Sequence, residues 1–268
     1  MDHRLSEDQL LDFADNGFLV LPDVLGPADV EALAEEAEAL YGTEAPGRVF
    51  EADGSTVRAV HGCHQAPGPY ADLVRDRRLL VPARQIVGGD VYVHQSKINA
   101  KRAISGDVWP WHQDFTFWNR EDGMAEPRVV NVAVLLDGAT EHNGPLLFIP
   151  GSHRTADGDT LHAVEGAEDT ADKSWRSHLA AKLEYTVDRE TVTRLTAAGG
   201  IVSATGGPGS LLFFDSRIVH GSSSNMSPHD RRMAIFTYNS VDNAPSGGAL
   251  PRPEFLAARD HSPLQVAL

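Results

Sequence analysis

Two histidines and one aspartate carry the clearest chemical signal of the sequence. His112 and Asp114 are separated by one residue in Trp-His-Gln-Asp, and His220 lies far along the chain. Two neutral imidazoles and one carboxylate can bind a divalent metal and leave positions open, a set typical of non-haem Fe(II) sites that react with O₂. The same ligand types also suit zinc, so a zinc hydrolase is the alternative chemistry.

The spacing of His112 and Asp114 fits a shared metal if the chain is extended there. Residues i and i+2 of a strand point to the same face, so both can chelate one ion while Gln113 turns away. One His-x-Asp motif among 12 histidines is a weak signal by itself. His220 strengthens it, because it follows the apolar run of residues 211–214, as expected of an imidazole carried at the end of a buried strand.

Arg231 is a candidate anion-binding residue. It opens the β-type run of residues 233–238, which predicts a strand that neighbours the strand of His220. A guanidinium there can hold a carboxylate with two parallel hydrogen bonds. Arg232 could equally be the inward residue, because strand alternation decides between the two and the sequence alone does not fix its phase.

Composition and charge limit the classes of partner and compartment. The chain has 268 residues and a formal net charge of −15, which argues against nucleic acid and anionic membranes as partners. Cys63 is the single cysteine, so an internal disulfide is impossible and a reducing cytoplasm fits. The N-terminal sequence has no secretory pattern, and no apolar stretch approaches the ~18 residues of a membrane span. The oligomeric state stays open.

The order of the expected elements indicates the fold class. One domain is expected over residues 1–268, helical over about residues 1–88 and rich in strands over about residues 89–245. Helices followed by many short strands broken by Gly and Pro predict a mostly β fold with flanking helices, a double-stranded β-helix or cupin-like jelly roll. Such a core brings distant strand ends together. The polar stretch of about residues 155–188 is a candidate lid over the site.

Local signals give the bounds of the expected elements. Ser6 and Gly17 should cap a helix over residues 7–16, and Pro27 and Gly42 bracket a second one. The other expected helices cover about residues 70–87, 172–184 and 191–198, and the expected strands cover residues 18–21, 91–99, 129–136, 146–149, 210–214, 218–220 and 233–238.

Several motifs resemble a known family, the phytanoyl-CoA dioxygenase-like oxygenases, which use Fe(II) and 2-oxoglutarate. The shared motifs are Trp-His-Gln-Asp-Phe at 111–115, Asn-Gly-Pro-Leu at 143–146, Pro-Gly-Ser-His at 150–153 and His-Gly-Ser at 220–222, followed by Arg231. Ectoine hydroxylases of this family share His-Gln-Ser-Lys/Arg-Ile-Asn at 94–99 and Glu-Asp-Gly-Met at 121–124. The bacterial hydroxylases of free L-proline resemble the chain nearly end to end, including residues 58–64, 89–95, 106–111, 130–137, 203–206, 214–220 and 251–260.

The resemblance implies a metal, a co-substrate and the residues that hold them. His112, Asp114 and His220 would bind Fe(II), and Arg231 rather than Arg232 would hold the distal carboxylate of 2-oxoglutarate, with O₂ as the oxidant. Family members that halogenate lack the carboxylate ligand, so Asp114 implies hydroxylation. Four further matched positions would line the pocket of the co-substrate or substrate: Gln95, Asn99, Asn131 and Ser222.

The implied reaction is hydroxylation of a small free amino acid. L-Proline is the leading substrate, with trans-4-hydroxy-L-proline, succinate and CO₂ as products. A zwitterion in a dry pocket needs polar partners and packing. Lys97 is the candidate partner of the substrate carboxylate, and Trp118 is the candidate for packing against its ring or chain.

Departures from the family patterns keep other substrates open. Ectoine hydroxylases carry Glu-Thr where this chain has Thr116-Phe117, and an aromatic residue where it has Ile235. Against the proline hydroxylases the differing positions are Ser96, Phe115, Thr116 and Asn119. Pipecolate, leucine, isoleucine and ectoine are therefore alternative substrates. A zinc hydrolase and a non-catalytic jelly-roll binding protein are more distant alternatives.

Five further histidines lack a carboxylate at a metal-ligand spacing. We expect them to be structural, with rings that are hydrogen-bonded in the folded protein. They are His61, His64, His94, His142 and His153.

Overall fold

The computed structural model describes residues 3–154, 164–166, 183–247 and 252–267. Most of the expected lid lies outside the described residues, as do residues 172–182 of the expected helix; residues 183 and 184 are described and are not helical. The helices are α1 (Glu7–Asn16), α2 (Pro27–Gly42), α3 (Pro69–Leu73), α4 (Arg77–Val87), α5 (Asp114–Phe117) and α6 (Arg189–Gly199), with a π-helical turn at Trp118–Asp122 and a 3₁₀ turn at Val241–Asn243.

Local capping explains where the first two helices begin and end. The Ser6 hydroxyl accepts a hydrogen bond from the Gln9 backbone amide, and the Gln9 side chain accepts one from the Ser6 backbone amide. Gly17, at φ 83°, ends α1. Pro27 lies in the first turn of α2, which ends at Gly42. Both helices match the bounds expected from the sequence.

The expected helical region of residues 70–87 is two helices rather than one. Asp76 starts a new helix, because its carboxylate accepts from the Arg78 amide and caps α4, whereas α3 ends at Leu73. α6 is longer than expected, since Asp188 caps it through the Thr191 amide. No helix among the described residues combines the length and the apolar character that a bilayer crossing requires.

Most described strands form two antiparallel sheets. The larger has the order β1-β11-β6-β13-β4-β3-β2, the smaller has the order β10-β7-β12-β5, and β8 pairs with β9. The strands are β1 (Phe18–Leu21), β2 (Arg48–Phe50), β3 (Val57–His61), β4 (Val91–Lys101), β5 (Trp109–His112), β6 (Val129–Leu135), β7 (Leu146–Phe148), β8 (Val164–Gly166), β9 (Tyr185–Val187), β10 (Val202–Ala204), β11 (Leu211–Asp215), β12 (His220–Ser222) and β13 (Arg231–Ser240).

The central strands of the larger sheet are buried on both faces. On β6, Val132 and Val134 pack in one cluster with residues of α2 and α4, such as Leu33 and Leu80. The alternate residues, represented by Ala133, pack instead with the smaller sheet. The large sheet therefore lies between a layer of helices and the small sheet. The predicted jelly-roll core with flanking helices is confirmed.

Two details of the strands differ from the expected list. β5 was not among the expected strands; its Pro110 is tolerated because β5 lies at the edge of its sheet among the described strands, where a missing N–H costs little. The Arg231 strand was expected beside that of His220. β13 pairs with β4 and β6 in the large sheet, whereas β12 belongs to the small sheet. The two residues therefore lie in different sheets, since a jelly roll passes the chain from one sheet to the other.

Candidate active site

The three predicted metal ligands come together at one end of the small sheet. β5 and β12 are antiparallel neighbours, and His112 and His220 are directly opposite residues. β5 ends at His112, and Asp114 is the first residue of α5, so the carboxylate does not lie on a strand as expected. Gln113 between them is nevertheless extended, at φ −122° and ψ 122°, and its side chain donates to the Arg217 carbonyl. The expected relation of i to i+2 therefore holds.

These residues form a compact, buried ligand cluster. Asp114 Oδ1 lies 3.6 Å from His112 Nε2, and Asp114 Oδ2 lies 3.8 Å from His220 Nε2. The three ligand atoms lie within 4.8 Å of one another, and all three residues are buried. Because bonds from a divalent cation to N and O donors are about 2.0–2.2 Å long, one cation fits between the three side chains.

Backbone carbonyls orient both imidazoles. His112 Nδ1 lies 2.7 Å from the Pro110 carbonyl oxygen, and His220 Nδ1 lies 3.0 Å from that of Ile218. A carbonyl oxygen only accepts, so in the neutral rings each Nδ1 carries the hydrogen and each Nε2 offers its lone pair on the Asp114 side. Burial, followed by the neighbouring His112, lowers the pKa of His220 to about 3, so this ring stays neutral.

The carboxylate of Asp114 is kept ionised and fixed in place. Burial alone would raise its pKa, but the positive charge of Lys97 is the first influence that opposes burial, and the pKa stays below its usual range. Asn131 Nδ2 donates to Asp114 Oδ2 at 2.9 Å, and the Thr237 hydroxyl donates to Asn131 Oδ1 at 2.7 Å. Asn131 thus contacts a metal-ligand candidate directly, which places it behind the cluster rather than in the lining of a pocket.

Arg231 is the inward arginine of the pair that the sequence left open. It is 1% exposed, and its Nη2 donates to the Gly144 carbonyl at 2.9 Å. Its Nε and Nη1 have no hydrogen-bond partner among the described residues. Arg232 points the other way and binds Asp137 and Glu38. A buried guanidinium with two unused donors is suited to bind an anion.

The polar residues of β4 lie on one side of that strand. Gln95, Lys97 and Asn99 are each separated by one residue along β4, so they share a face of the sheet. Gln95 and Lys97 line a pocket together with His112 and Asp114. Asn99 and Ser222 are buried, and Asn99 Oδ1 and Ser222 Oγ find no partner among the described residues, but neither lines that pocket.

A small pocket lies beside the ligand cluster and is partly open to solvent. The predicted residues Lys97 and Trp118 both line it. Sequence reasoning missed four further lining residues, of which Arg252 adds a second cation. The available signal for Arg252 was the family-like C-terminal stretch of residues 251–260. The complete lining is Gln95, Lys97, Trp109, His112, Asp114, Phe117, Trp118, Leu183 and Arg252.

The further histidines only partly follow the expectation of hydrogen-bonded rings. His64 contacts Ser96 Oγ at 2.6 Å, His94 contacts Asp122 Oδ2 at 3.0 Å, and His153 contacts the Ala14 carbonyl at 3.1 Å. His61 contradicts it, because it is buried and neither ring nitrogen has a partner in the described part of the chain. Burial, with Lys97 and Arg252 nearby, keeps the pKa of His61 well below its ordinary value, so the ring stays neutral.

The fold and the ligand cluster agree with the family to which the chain belongs. It is a member of the phytanoyl-CoA dioxygenase (PhyH) family, which matches residues 13–233. The protein is accordingly an enzyme, a dioxygenase dependent on Fe(II) and 2-oxoglutarate.

Individual relatives include proteins that act on two different small molecules. The chain is 43% identical to the L-proline trans-4-hydroxylase of Streptomyces griseoviridis, over 96% of this chain and 94% of that protein. It is 38% identical to the ectoine dioxygenase of Bordetella parapertussis, over 95% of this chain and 83% of that protein. The crystal structure of EctD from S. alaskensis with 2-oxoglutarate and 5-hydroxyectoine has a TM-score of 0.82 and 34% identity, and the match covers 98% of this chain and 87% of EctD.

Proposed function

We propose that the protein hydroxylates a free amino acid, L-proline, to trans-4-hydroxy-L-proline, with 2-oxoglutarate consumed to succinate and CO₂. One observation carries this proposal: a pocket with two cations and aromatic walls opens directly at His112 and Asp114. The near full-length identity to a proline trans-4-hydroxylase supports L-proline as the substrate. The single cysteine, Cys63, is free and buried, which suits a cytoplasmic enzyme.

The residues of the ligand cluster have defined roles in this proposal. His112, Asp114 and His220 would hold Fe(II), since their donor atoms are close together and the tautomers of both rings are set by backbone carbonyls. The bound metal supplies activation of O₂ and oxidation of a C–H bond, which no protein side chain can supply. Asn131 fixes the orientation of Asp114.

Arg231 is proposed to hold the distal carboxylate of 2-oxoglutarate. Its Nε and Nη1 have no partner among the described residues, so N–H groups of this buried cation remain to bind a carboxylate. Ser222 is two residues from His220 and has an unpartnered hydroxyl among the described residues, so it is proposed as a further donor to the co-substrate. Asn99 is proposed to accept or donate in the same polar region.

The amino-acid substrate is proposed to bind through its carboxylate to Lys97 and Arg252. Both cations line the pocket next to Asp114, so a carboxylate there would leave the rest of a short amino acid near the metal position. Trp118, Phe117 and Leu183 provide apolar surface for a ring or an aliphatic chain. Gln95 can bind the remaining polar group of the zwitterion.

Ectoine is the second candidate substrate, because ectoine dioxygenases match nearly as much of the chain. One lining residue argues against it. Phe117 stands in the pocket at a position where the ectoine hydroxylase pattern has threonine, so the apolar wall differs where the substrate would lie.

The proposal is tested by anaerobic reconstitution with Fe(II), 2-oxoglutarate and L-proline, followed by exposure to air and mass spectrometry. We expect a product with one added oxygen and an equal amount of succinate, with NMR assigning the hydroxyl to the trans-4 position. Succinate formed only with ectoine, pipecolate, leucine or isoleucine would replace proline by that substrate. Absence of succinate with every one of them would overturn the assignment of the reaction.

A further inference from the structure

A buried charged network connects the reaction pocket to the C-terminal segment. Arg252 donates from Nε to Asp122 Oδ1 at 2.8 Å and from Nη2 to Asp122 Oδ2 at 2.6 Å. His94 Nε2 lies 3.0 Å from the same Oδ2. The side chains of His94, Asp122 and Arg252 are 0%, 3% and 7% exposed. These three residues are called the Arg252 network below.

The charge states in the Arg252 network are fixed by its surroundings. Burial would raise the pKa of Asp122, but hydrogen bonds from His94 and Arg252 outweigh burial and hold the pKa below its usual value. Burial is the largest effect on His94 and lowers the pKa of its ring. The network is therefore a neutral imidazole that donates to a carboxylate, which in turn is paired with a guanidinium. No net charge is buried, so the desolvation of Arg252 is offset before any ligand arrives.

The geometry leaves one edge of the guanidinium available. Asp122 accepts from Nε and Nη2, and among the described residues no acceptor contacts Nη1. Arg252 separates the reaction pocket from a second cavity, which is lined by Glu121, Asp122, Ser246 and Arg259 among others. A planar guanidinium fixed by a two-point contact can turn only as a unit with its carboxylate.

The three residues of the network come from three separate parts of the fold. His94 lies on β4, Asp122 ends the π-helical turn that follows the metal-ligand candidates, and Arg252 begins the described C-terminal segment. Further contacts join that segment to β4, since the Ala258 amide donates to the His94 carbonyl and the Leu264 amide donates to that of Val91, each at 2.9 Å. The position of Arg252 thus depends on side chains that lie outside the pocket.

We propose that Asp122, oriented by His94, is a positioning residue of the enzyme. It sets the plane of the Arg252 guanidinium and so determines where the carboxylate of the amino-acid substrate binds relative to the metal position. This inference rests on the proposed function, in which Arg252 binds that carboxylate. Asp122 itself contacts neither substrate nor metal and acts through Arg252 alone.

The test is a double-mutant cycle on KM for L-proline, with Asp122→Asn, Arg252→Met and the double variant. Each single change should raise KM on the order of tenfold and should release more succinate than hydroxyproline, while KM for 2-oxoglutarate stays unchanged. The double variant should have the KM of Arg252→Met alone. Effects that multiply in the double variant, or a folded Asp122→Asn enzyme with the wild-type KM, would overturn the proposal.

A matched control removes a similar arginine–aspartate contact elsewhere. Asp76 binds Arg78 Nε at 3.0 Å and Nη2 at 2.6 Å at the start of α4, away from the pocket. Asp76→Asn keeps a good helix cap and should leave both KM values unchanged. A similar rise of KM for L-proline in this control would show that the effect of Asp122→Asn is not specific to the pocket.

His94 provides a second test if Asp122→Asn does not fold. His94→Gln keeps a donor for Asp122 and should retain the wild-type KM for L-proline, whereas His94→Leu removes the donor and should raise it. Equal KM values in the two folded variants would overturn the role of His94.

If the wild-type enzyme forms no hydroxyproline, the proposed function fails. Hydrogen exchange then tests the Arg252 network independently of activity. The Ala258 amide should exchange faster in His94→Leu than in His94→Gln. Equal exchange rates in the two variants would contradict the role of His94 in the network.

Discussion

Two buried arginines, Arg231 and Arg252, differ in how their positive charge is accommodated. Arg252 is paired with Asp122 through two hydrogen bonds, and its charge is balanced within the protein. Arg231 has no carboxylate contact among the described residues and gives one hydrogen bond to a backbone carbonyl. A buried unpaired charge is costly, so the region of Arg231 is arranged to gain stability when an anion binds.

The surroundings of Arg231 include a second buried cation, Lys101, and no balancing acid is bound to it among the described residues. It is the direct cross-strand neighbour of Arg231, and its ammonium nitrogen donates to the carbonyls of Asp107 and Ser223 rather than to an acid. Burial, followed by Arg231, lowers the pKa of Lys101 to about 6. Near Arg231 the neighbouring lysine is thus shifted toward its neutral form, whereas near Arg252 a carboxylate balances the charge.

The largest effect is expected from a change in the ligand cluster of His112, Asp114 and His220. Asp114→Gly removes the carboxylate ligand but leaves Arg231 and Arg252 in place, so it tests whether either binding site can support turnover without the metal site. We expect hydroxyproline formation to fall below detection in a mass-spectrometric assay with excess Fe(II). Hydroxylation at the wild-type rate would remove Asp114 from the metal site.

Arg231→Met should weaken binding of 2-oxoglutarate without destabilising the fold. Loss of two charge-assisted hydrogen bonds corresponds to about 3 kcal/mol, or roughly a 100-fold rise in KM for 2-oxoglutarate. The free energy of unfolding should stay the same or increase, because a buried unpaired charge is removed. Arg232→Met is the control, with an unchanged KM and a small loss of stability. A large loss of stability in Arg231→Met would mean that its charge is balanced in the free protein.

Arg252→Met should give the opposite stability result. The change leaves the Asp122 carboxylate buried with only His94 as a partner, so we expect a loss of about 3 kcal/mol in the free energy of unfolding by denaturant titration. Replacing Asp122 by leucine in the same chain should restore part of that loss, since both charges are then removed. Equal stabilities of the Arg231→Met and Arg252→Met variants would remove the distinction between the two arginines.

The smallest expected effect, over a change of one pH unit, is a pH dependence of the free energy of unfolding due to Lys101. Its pKa is about 6 in the folded protein and near 10.5 when unfolded, so between these values the unfolded chain binds the additional proton. The lysine therefore makes stability rise with pH across this window, by up to about 1.4 kcal/mol per pH unit. Lys101→Met should unfold with a shallower pH dependence than the wild type. Identical slopes would show that Lys101 stays charged in the folded protein.

The ligand set could be predicted because it depends on local spacing and residue type. Two residues joined by one extended residue share a face whether the second lies on a strand or, like Asp114, opens a helix. Arg231 could not be separated from Arg232 by pattern alone, because strand phase depends on which face is covered by the other sheet. The family resemblance selected Arg231, and the structure places its side chain inward.

The missed parts of the site depend on contacts between distant segments. Asp122 and Arg252 are 130 residues apart, and neither has a local pattern that marks it as half of an ion pair. β5 was not among the expected strands; a strand that contains Pro110 is favourable at the edge of a sheet, and edge position is a property of the whole sheet. The bounds of α1 could be predicted, because Ser6 and Gly17 act within a few residues of their own position.

The order of residues along the chain has a consequence for protein synthesis. His112, Asp114, His220 and Arg231 all leave the ribosome before Arg252. A truncated chain that ends between Ser240 and Arg252 would keep β13 and the groups proposed for the metal and the co-substrate but would lack one of the two cations of the reaction pocket. The last element of the proposed site to be synthesised is therefore the one that would place the amino acid, so a chain truncated there should lose amino-acid binding before it loses the proposed metal ligands.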